Sequence, residues 1–277
     1  MKTQIIPTVN YHLTKKCNFH CKYCFAHFND ISGHQLDESE SVKLVRMIAE
    51  CGHFKKINFA GGEPMLVPYL PELIKTAKEF KLETSIVTNG SKLTPEWIQQ
   101  NSKYLDIIAI SIDSLNKDTN NIIGNKTLLD TLPKLIRIIH DEHKKLKINT
   151  VVSSYNMKET LTSFINEAMP YKWKILQATK IVGQNDKFFH KVAVKEEDFE
   201  SFCNRNRQEI SPNIEIVCEP TNNIIGSYCM VDHRGCFFDD TSGQHRYSDP
   251  ILKIGVEKAL QQTVYSFEKF IERKGNY

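Results

Sequence analysis

Three cysteines, Cys17, Cys21 and Cys24, stand four and three residues apart in the stretch CNFHCKYC. Thiols at that spacing can converge from one compact loop on one metal centre. Two chemistries fit. A structural zinc wants a fourth protein ligand, which His20 or His27 would supply, because the next cysteine is Cys51, beyond a predicted helix. A [4Fe–4S] cluster on three thiolates instead leaves one iron open to an outside ligand. Three more polar groups, Gly61-Gly62-Glu63-Pro64, Thr88-Asn89-Gly90-Ser91 and Ser111-Ile112-Asp113-Ser114, each follow an apolar stretch of strand length. Paired glycines let a backbone approach a ligand closely. Glu63 offers a carboxylate to an ammonium group, and the short polar side chains suit ribose and carboxylate contacts. Each group alone is also ordinary turn or capping chemistry.

The elements that must position these groups alternate regularly. Strands are expected at 5–13, 56–60, 84–88, 106–112, 147–152 and 173–178, with helices at 37–51, 69–80, 95–100, 127–143 and 158–168 between them. Acidic residues in its first turn and Gly52 at its end bound the first helix. Near-continuous apolar runs such as Ile107–Ile110 point to a parallel sheet covered on both faces. In such an array the loops after the strands' carboxyl ends carry the site, and every unusual polar group here follows a strand. From about residue 180 the rhythm weakens. A helix at 195–208, a strand at 214–218, a hairpin with arms 228–231 and 236–238, and two short helices at 253–262 and 264–273 are expected there. The class is therefore α/β, with residues 1–180 as the barrel-like part and 181–277 as an extension of the same domain.

Composition narrows the function classes. The 277 residues carry 36 basic and 33 acidic side chains, a formal charge of +3, which argues against a coat for a nucleic acid polymer. No run nears the ~18 apolar residues of a membrane span, and the first residues lack a signal-peptide core. A cytoplasmic protein is expected, with its eight cysteines reduced or bound to metal. Cys203, Cys218, Cys229 and Cys236, at gaps of 15, 11 and 7 with no close pair, read as scattered buried thiols rather than an auxiliary cluster.

CxxxCxxC with Tyr23 before its last cysteine is similar to the signature of the radical S-adenosylmethionine (SAM) superfamily. The ordered set NYHL (10–13), KINFAGGEP (56–64), TNGS (88–91), YLDIIAISIDS (104–114), LKINTVV (146–152) and WKILQ (173–177) resembles the viperin family, its prokaryotic members above all. The resemblance implies a partial (β/α)6 barrel. It implies a [4Fe–4S] cluster on Cys17, Cys21 and Cys24, and SAM held by Tyr23, Gly61, Gly62, Glu63, Asn89, Ser91, Ser111 and Asp113. The implied reaction is dehydration of a nucleoside triphosphate (CTP, UTP or GTP) to its 3′-deoxy-3′,4′-didehydro analogue, a chain terminator in antiviral defence. SAM is consumed as co-substrate, and the electron donor is a flavodoxin or ferredoxin.

Such a substrate needs a positive pocket. Lys147 and Asn149 sit two apart on the fifth strand and so face one way, and Lys174 is on the neighbouring sixth. An inward lysine needs an anionic partner, because an unpaired buried charge is costly. Singly, each lysine reads better as an exposed strand-end residue. The resemblance supports Lys147, Asn149, Lys174 and Gln177 and makes Tyr228 a candidate hydrogen donor, against the competing reading of a buried core tyrosine; Asn10 and His12 join the nucleotide set, as does Arg234, in a hairpin that departs from the vertebrate members. Lys126 is a further basic candidate in the loop after the fourth strand. The competing functions are a radical SAM enzyme acting on a peptide or other small molecule, and a non-catalytic zinc module.

Overall fold

The computed structural model describes residues 5–125, 128 and 130–272. Ten strands form one sheet: β1 (Ile6–His12), β2 (Phe54–Ala60), β3 (Glu83–Thr88), β4 (Ile107–Ser111), β5 (Lys145–Val152), β6 (Lys172–Gln177), β7 (Glu215–Glu219), β8 (Cys229–Val231), β9 (Cys236–Asp239) and β10 (Arg246–Pro250). Their order is β10-β9-β8-β1-β2-β3-β4-β5-β6-β7. β1 to β6 pair in parallel in chain order, as the α/β alternation predicts, and the parallel row extends to β7 beside β6 and β8 beside β1. β9 and β10 close that end as antiparallel strands.

Helices cross over between the parallel strands: α1 (Glu38–Glu50), α2 (Leu70–Glu79), α3 (Pro95–Asn101), α4 (Lys117–Ile123), α5 (Leu132–Asp141) and α6 (Thr162–Ala168). α7 (Asp186–Val192) and α8 (Glu196–Arg207) follow β6, and four short helices (Thr221–Ile224, Ile251–Ile254, Val256–Leu260, Phe267–Glu272) belong to the extension. Asp37 starts α1 with a complete capping box, its side chain on the Glu40 amide and the Glu40 side chain on its own amide. Apolar residues on the other face of the strands, Tyr11, Ile57, Phe59, Ile86, Ile108, Ile148, Trp173 and Ile175, are buried with the inner faces of the helices as one core. That assigns the alternate strand residues to the barrel lumen.

Some expectations needed correction. The expected helix 127–143 begins only at Leu132, where Pro133 takes the first turn, a position that has no use for its missing N–H. A separate helix, α4, precedes it, with Asn116 as its N-cap. Lys126 lies outside the described residues. Gly255, at φ +87°, splits the expected helix 253–262 in two. The hairpin of the extension forms as expected, but β10 and α7 had no clear periodic signal. Among the described residues no helix is long and apolar enough to cross a membrane.

Candidate active site

The loop after β1 carries the three cysteines and is clamped by backbone on two sides. Gly62 donates to the Thr14 carbonyl, and Glu63 donates to the Lys16 carbonyl at 2.9 Å. Opposite, His20 donates to Gly124 at 3.0 Å and Lys22 to Ile123 at 2.9 Å, at the carboxyl end of α4. These contacts explain the glycines. A Cβ on Gly62 would lie 2.2 Å from the Lys16 carbonyl oxygen, and one on Gly124 would lie 2.2 Å from that of His20. The sequence reading gave the paired glycines the close approach of a ligand. Here the backbone they admit is the cysteine loop itself, although both also line the cavity below it.

That cavity, about 310 Å³, is the barrel lumen. Cys17, Cys21 and Cys24 form its upper wall with Tyr23, Asn89, Ser111 and Asp113. Burial pushes all three thiols up, Cys24 to about 11. Bare, they stay protonated; a bound cationic metal centre would draw the protons off, because metal ligation requires thiolate. Among the described residues no three Cys, His, Asp or Glu side chains stand at the spacing of a single ion. The three thiols line one cavity and lie close enough to act on one another's charge, as ligands of one shared centre do.

The lower lumen gathers a set of polar side chains on a wall that is otherwise largely apolar. Thr8, Asn10 and His12 of β1, Lys56 and Asn58 of β2, Lys147 and Asn149 of β5 and Lys174 of β6 all line it. Lys56, Lys147 and Lys174 are only 3%, 7% and 5% exposed. Asn149 is directly opposite Lys174 in the β5–β6 register. Lys56 lies 3.9 Å from Glu83, and Lys174 2.8 Å from Glu219. Thr8 Oγ1, His12 Nδ1, Asn58 Oδ1 and Asn149 Oδ1 are buried without a hydrogen-bond partner among the described residues. Unsatisfied buried polar atoms cost about 1–3 kcal/mol each, so four around one cavity point to a polar ligand. Lys56 escaped the sequence reading. Its signal was present, because Lys56, Asn58 and Ala60 alternate along the strand that ends in Gly61-Gly62.

Other expected site residues make contacts within the protein. Glu63 is fully buried and does not line the cavity: its carboxylate accepts from Thr88 Oγ1 at 2.6 Å, the Asn89 amide at 2.7 Å and the Met65 amide at 3.0 Å. It shapes the Thr88–Ser91 turn. Ser91 likewise stays off the wall, bonded to Asn89 at 2.6 Å and Asn18 at 2.7 Å. Asp113 does line the lumen, but it takes the Tyr23 hydroxyl, the Val151 amide at 2.7 Å and the Asn125 amide group. Burial raises its pKa against those bonds. Asn125, also bonded to the Cys21 thiol, is a cavity residue that the sequence reading did not assign.

In the lower set, Asn10 spends its amide on the Cys229 carbonyl at 3.2 Å and on Asn58 at 2.9 Å. Gln177 is on the wall, yet both ends of its amide are occupied, by the Thr221 amide at 2.8 Å and the Val194 carbonyl at 3.0 Å. Burial among Phe25, Phe28 and Phe238 drives His12 down to about 3, so at neutral pH it is an uncharged ring rather than a phosphate-binding cation. Arg234 is not brought to the lumen. Its guanidinium pairs with Asp232 at 2.7 Å and lies over the Tyr247 ring. Tyr228 reaches the wall from just before β8, donating to Glu219 and accepting from Lys174, and so links β8 to β6 and β7.

The Radical SAM superfamily profile matches residues 11–166, more than half of the chain. A nucleotide dehydratase of Flammeovirga pacifica that depends on S-adenosylmethionine is 42% identical over 99% of this chain and 96% of its own length. The chain belongs to this radical SAM dehydratase family. A second such dehydratase, from Lacinutrix mariniflava, is 46% identical, and the chain spans 58% of that longer relative. Among solved structures, anSMEcpe with bound AdoMet superposes with a TM-score of 0.69 at 15% identity, over 96% of this chain and 82% of that one. That likeness speaks for the fold alone. The cofactors are those of the superfamily, a [4Fe–4S] cluster and SAM. The sequence alternatives built on a zinc ion are set aside. Cys203 and Cys218 lie together, whereas Cys229 neighbours Cys51 and Cys236 faces Asp232, so the four thiols form no auxiliary site among the described residues.

Proposed function

We propose that this chain dehydrates a nucleoside triphosphate to its 3′-deoxy-3′,4′-didehydro analogue, in antiviral defence inside the cytoplasm. The observation that carries this reading is three buried lysines, on β2, β5 and β6, in one lumen beneath a three-thiol loop. Lys56, Lys147 and Lys174 take the triphosphate, with the hydroxyl of Thr8 beside it, while the open acceptor oxygens of Asn58 and Asn149 take donors such as the ribose hydroxyls. Ammonium–phosphate hydrogen bonds in a site shielded from water are strong and directional.

Cys17, Cys21 and Cys24 hold the cluster, and Tyr23, Gly61, Gly62, Asn89, Ser111 and Asp113 surround SAM. When bound, cluster and SAM supply the 5′-deoxyadenosyl radical that removes the ribose 4′ hydrogen. The 3′ hydroxyl then departs as water, and one electron, from a flavodoxin or ferredoxin, closes the C3′–C4′ double bond. On that balance the protein owes the departing hydroxide a proton. We assign that proton to Tyr228, a reading supported by the Lys174 ammonium that donates to its hydroxyl and the Glu219 carboxylate that accepts from it. This refines the expected hydrogen donor to a proton donor.

The test is anaerobic incubation of the reconstituted protein with SAM, reductant and each of CTP, UTP, GTP and ATP, beside the matching nucleosides. Deoxyadenosine formation should rise with a triphosphate, which should lose one water, and stay at background with the nucleoside. Equal stimulation by both would remove the role of the lysines. Cys17→Ala, Cys21→Ala and Cys24→Ala should each abolish deoxyadenosine formation and iron binding.

A further inference from the structure

Cys203 on α8 and Cys218 on the edge strand β7 face each other on the outer side of the sheet, away from the lumen. Cys203 stands one turn before Arg207 on α8, on the same face of the helix, and so offers its thiol proton towards the Cys218 sulfur that Arg207 reaches. Cys218 also accepts from Arg207 Nη2 at 3.2 Å. Cys203 is buried, at 4% exposure, while Cys218 is half-buried and Arg207 is at the surface, so a small solute reaches Cys218 first. The proton offered by Cys203, with the guanidinium beside it, holds the Cys218 thiol below the ordinary cysteine value; the same bond and burial push Cys203 up. A half-exposed thiol beside a cation and a second thiol has the environment of a reactive cysteine rather than a packing one.

We propose that Cys218 and Cys203 form a hydroperoxide-reactive pair, in which Cys218 is oxidised and Cys203 closes a disulfide on it. The Cys218 thiolate attacks the terminal peroxide oxygen; the O–O bond breaks, giving Cys218 sulfenic acid and an alkoxide or hydroxide that takes a proton. The Cys203 sulfur then attacks the Cys218 sulfur, and the S–O bond breaks with loss of water. Two thiols and one hydroperoxide thus yield one disulfide, one alcohol (or water) and one water. The bond would tie α8 to β7 one residue before Glu219, whose carboxylate holds Lys174 and Tyr228.

The test uses the anaerobic reconstituted holoprotein with less than one equivalent of tert-butyl hydroperoxide, acid quenching, alkylation and peptide mass analysis. A Cys203–Cys218 linked peptide should appear about tenfold faster than any oxidation of Cys51, a half-buried thiol that burial pushes up, with the Glu257 charge adding to it. Cys203→Ser should stop at a dimedone-trappable sulfenic acid on Cys218, and Arg207→Gln should slow the reaction about tenfold. Oxidation of Cys218 no faster than Cys51, or no linked peptide in the parent, overturns the pairing. Linked protein should also bind a nucleoside triphosphate several-fold more weakly until dithiothreitol is added. This last arm rests on the proposed substrate, whereas linkage read by mass does not. Unchanged binding by the linked protein, where the reduced protein binds, would overturn the coupling to Glu219.

Discussion

Replacing Gly62 with alanine tests whether the cysteine loop is positioned by backbone contact. The added methyl would lie 2.2 Å from the Lys16 carbonyl oxygen and 2.5 Å from its carbon, so the two segments must part by about 1 Å to reach ordinary separation. Gly62 has no positive φ, so the backbone itself tolerates alanine and the effect is purely one of crowding. Overpacking of this kind costs about 1–3 kcal/mol, which a domain of this size survives. The displacement falls on the loop that carries Cys17, and a misplacement of about 1 Å at a reacting centre costs roughly 100-fold in rate. Gly52→Ala is the control. Gly52 sits at φ +72° with nothing near its Cβ position, so its alanine pays only the left-handed backbone penalty, about 1–2 kcal/mol. Both variants should stay folded by circular dichroism. Gly62→Ala should lose cluster iron and deoxyadenosine formation by about 100-fold, while Gly52→Ala keeps both. Full iron content and turnover in Gly62→Ala would refute the view that the paired glycines exist to seat this loop.

Lys56→Ala should weaken nucleoside triphosphate binding about 10- to 100-fold, the cost of one charge-assisted hydrogen bond, and leave SAM affinity nearly unchanged; titration calorimetry separates the two. Asn125→Ala leaves the Asp113 carboxylate and the Cys21 thiol with fewer partners; SAM cleavage should fall about tenfold while thermal stability changes little, and an unchanged rate would count against Asn125 as a support of the upper wall. Burial, with the neighbouring histidines, lowers His12 to about 3, and burial lowers His245 to about 4, so both are neutral in the fold yet take up protons near pH 6.5 once unfolded. Their contribution to stability is whole above that value and is lost as pH falls towards the folded values, at about 1.4 kcal/mol per pH unit for each ring. Urea midpoints between pH 7.5 and 5 should therefore fall less steeply in His245→Phe than in the parent. Parallel slopes would contradict the assignment.

Much of this architecture was readable from one chain because the relevant forces are local. The period of apolar residues distinguishes strand from helix, caps such as Asp37 and breakers such as Gly52 set the ends, and three thiols within eight residues announce a shared ligand. Lys147 and Asn149 could be placed on one face by strand alternation alone, and the structure brings them to the same lumen. The short elements of the extension were harder. Helices of four to six residues and the strand β10 carry too few turns for periodicity and form only where packing holds them.

The sequence by itself determined the six leading strands with most of the helices between them, the cysteine loop and the polar turns after the strands. Only the tertiary structure decided which of those polar groups face a ligand and which are consumed in holding the loops. Glu63 and Ser91 resemble binding residues in the chain, yet in the fold Glu63 accepts from the Asn89 amide and Ser91 donates to Asn89 Oδ1. Arg234 is captured by Asp232 two residues away, whereas Lys56, unremarkable in the chain, is turned inward by the pleat of β2. The reason is physical: a buried polar group must be satisfied by whatever the fold brings within about 3 Å, and most of those partners are remote in sequence. The pairing of Cys203 with Cys218, on a helix and an edge strand, is of the same kind.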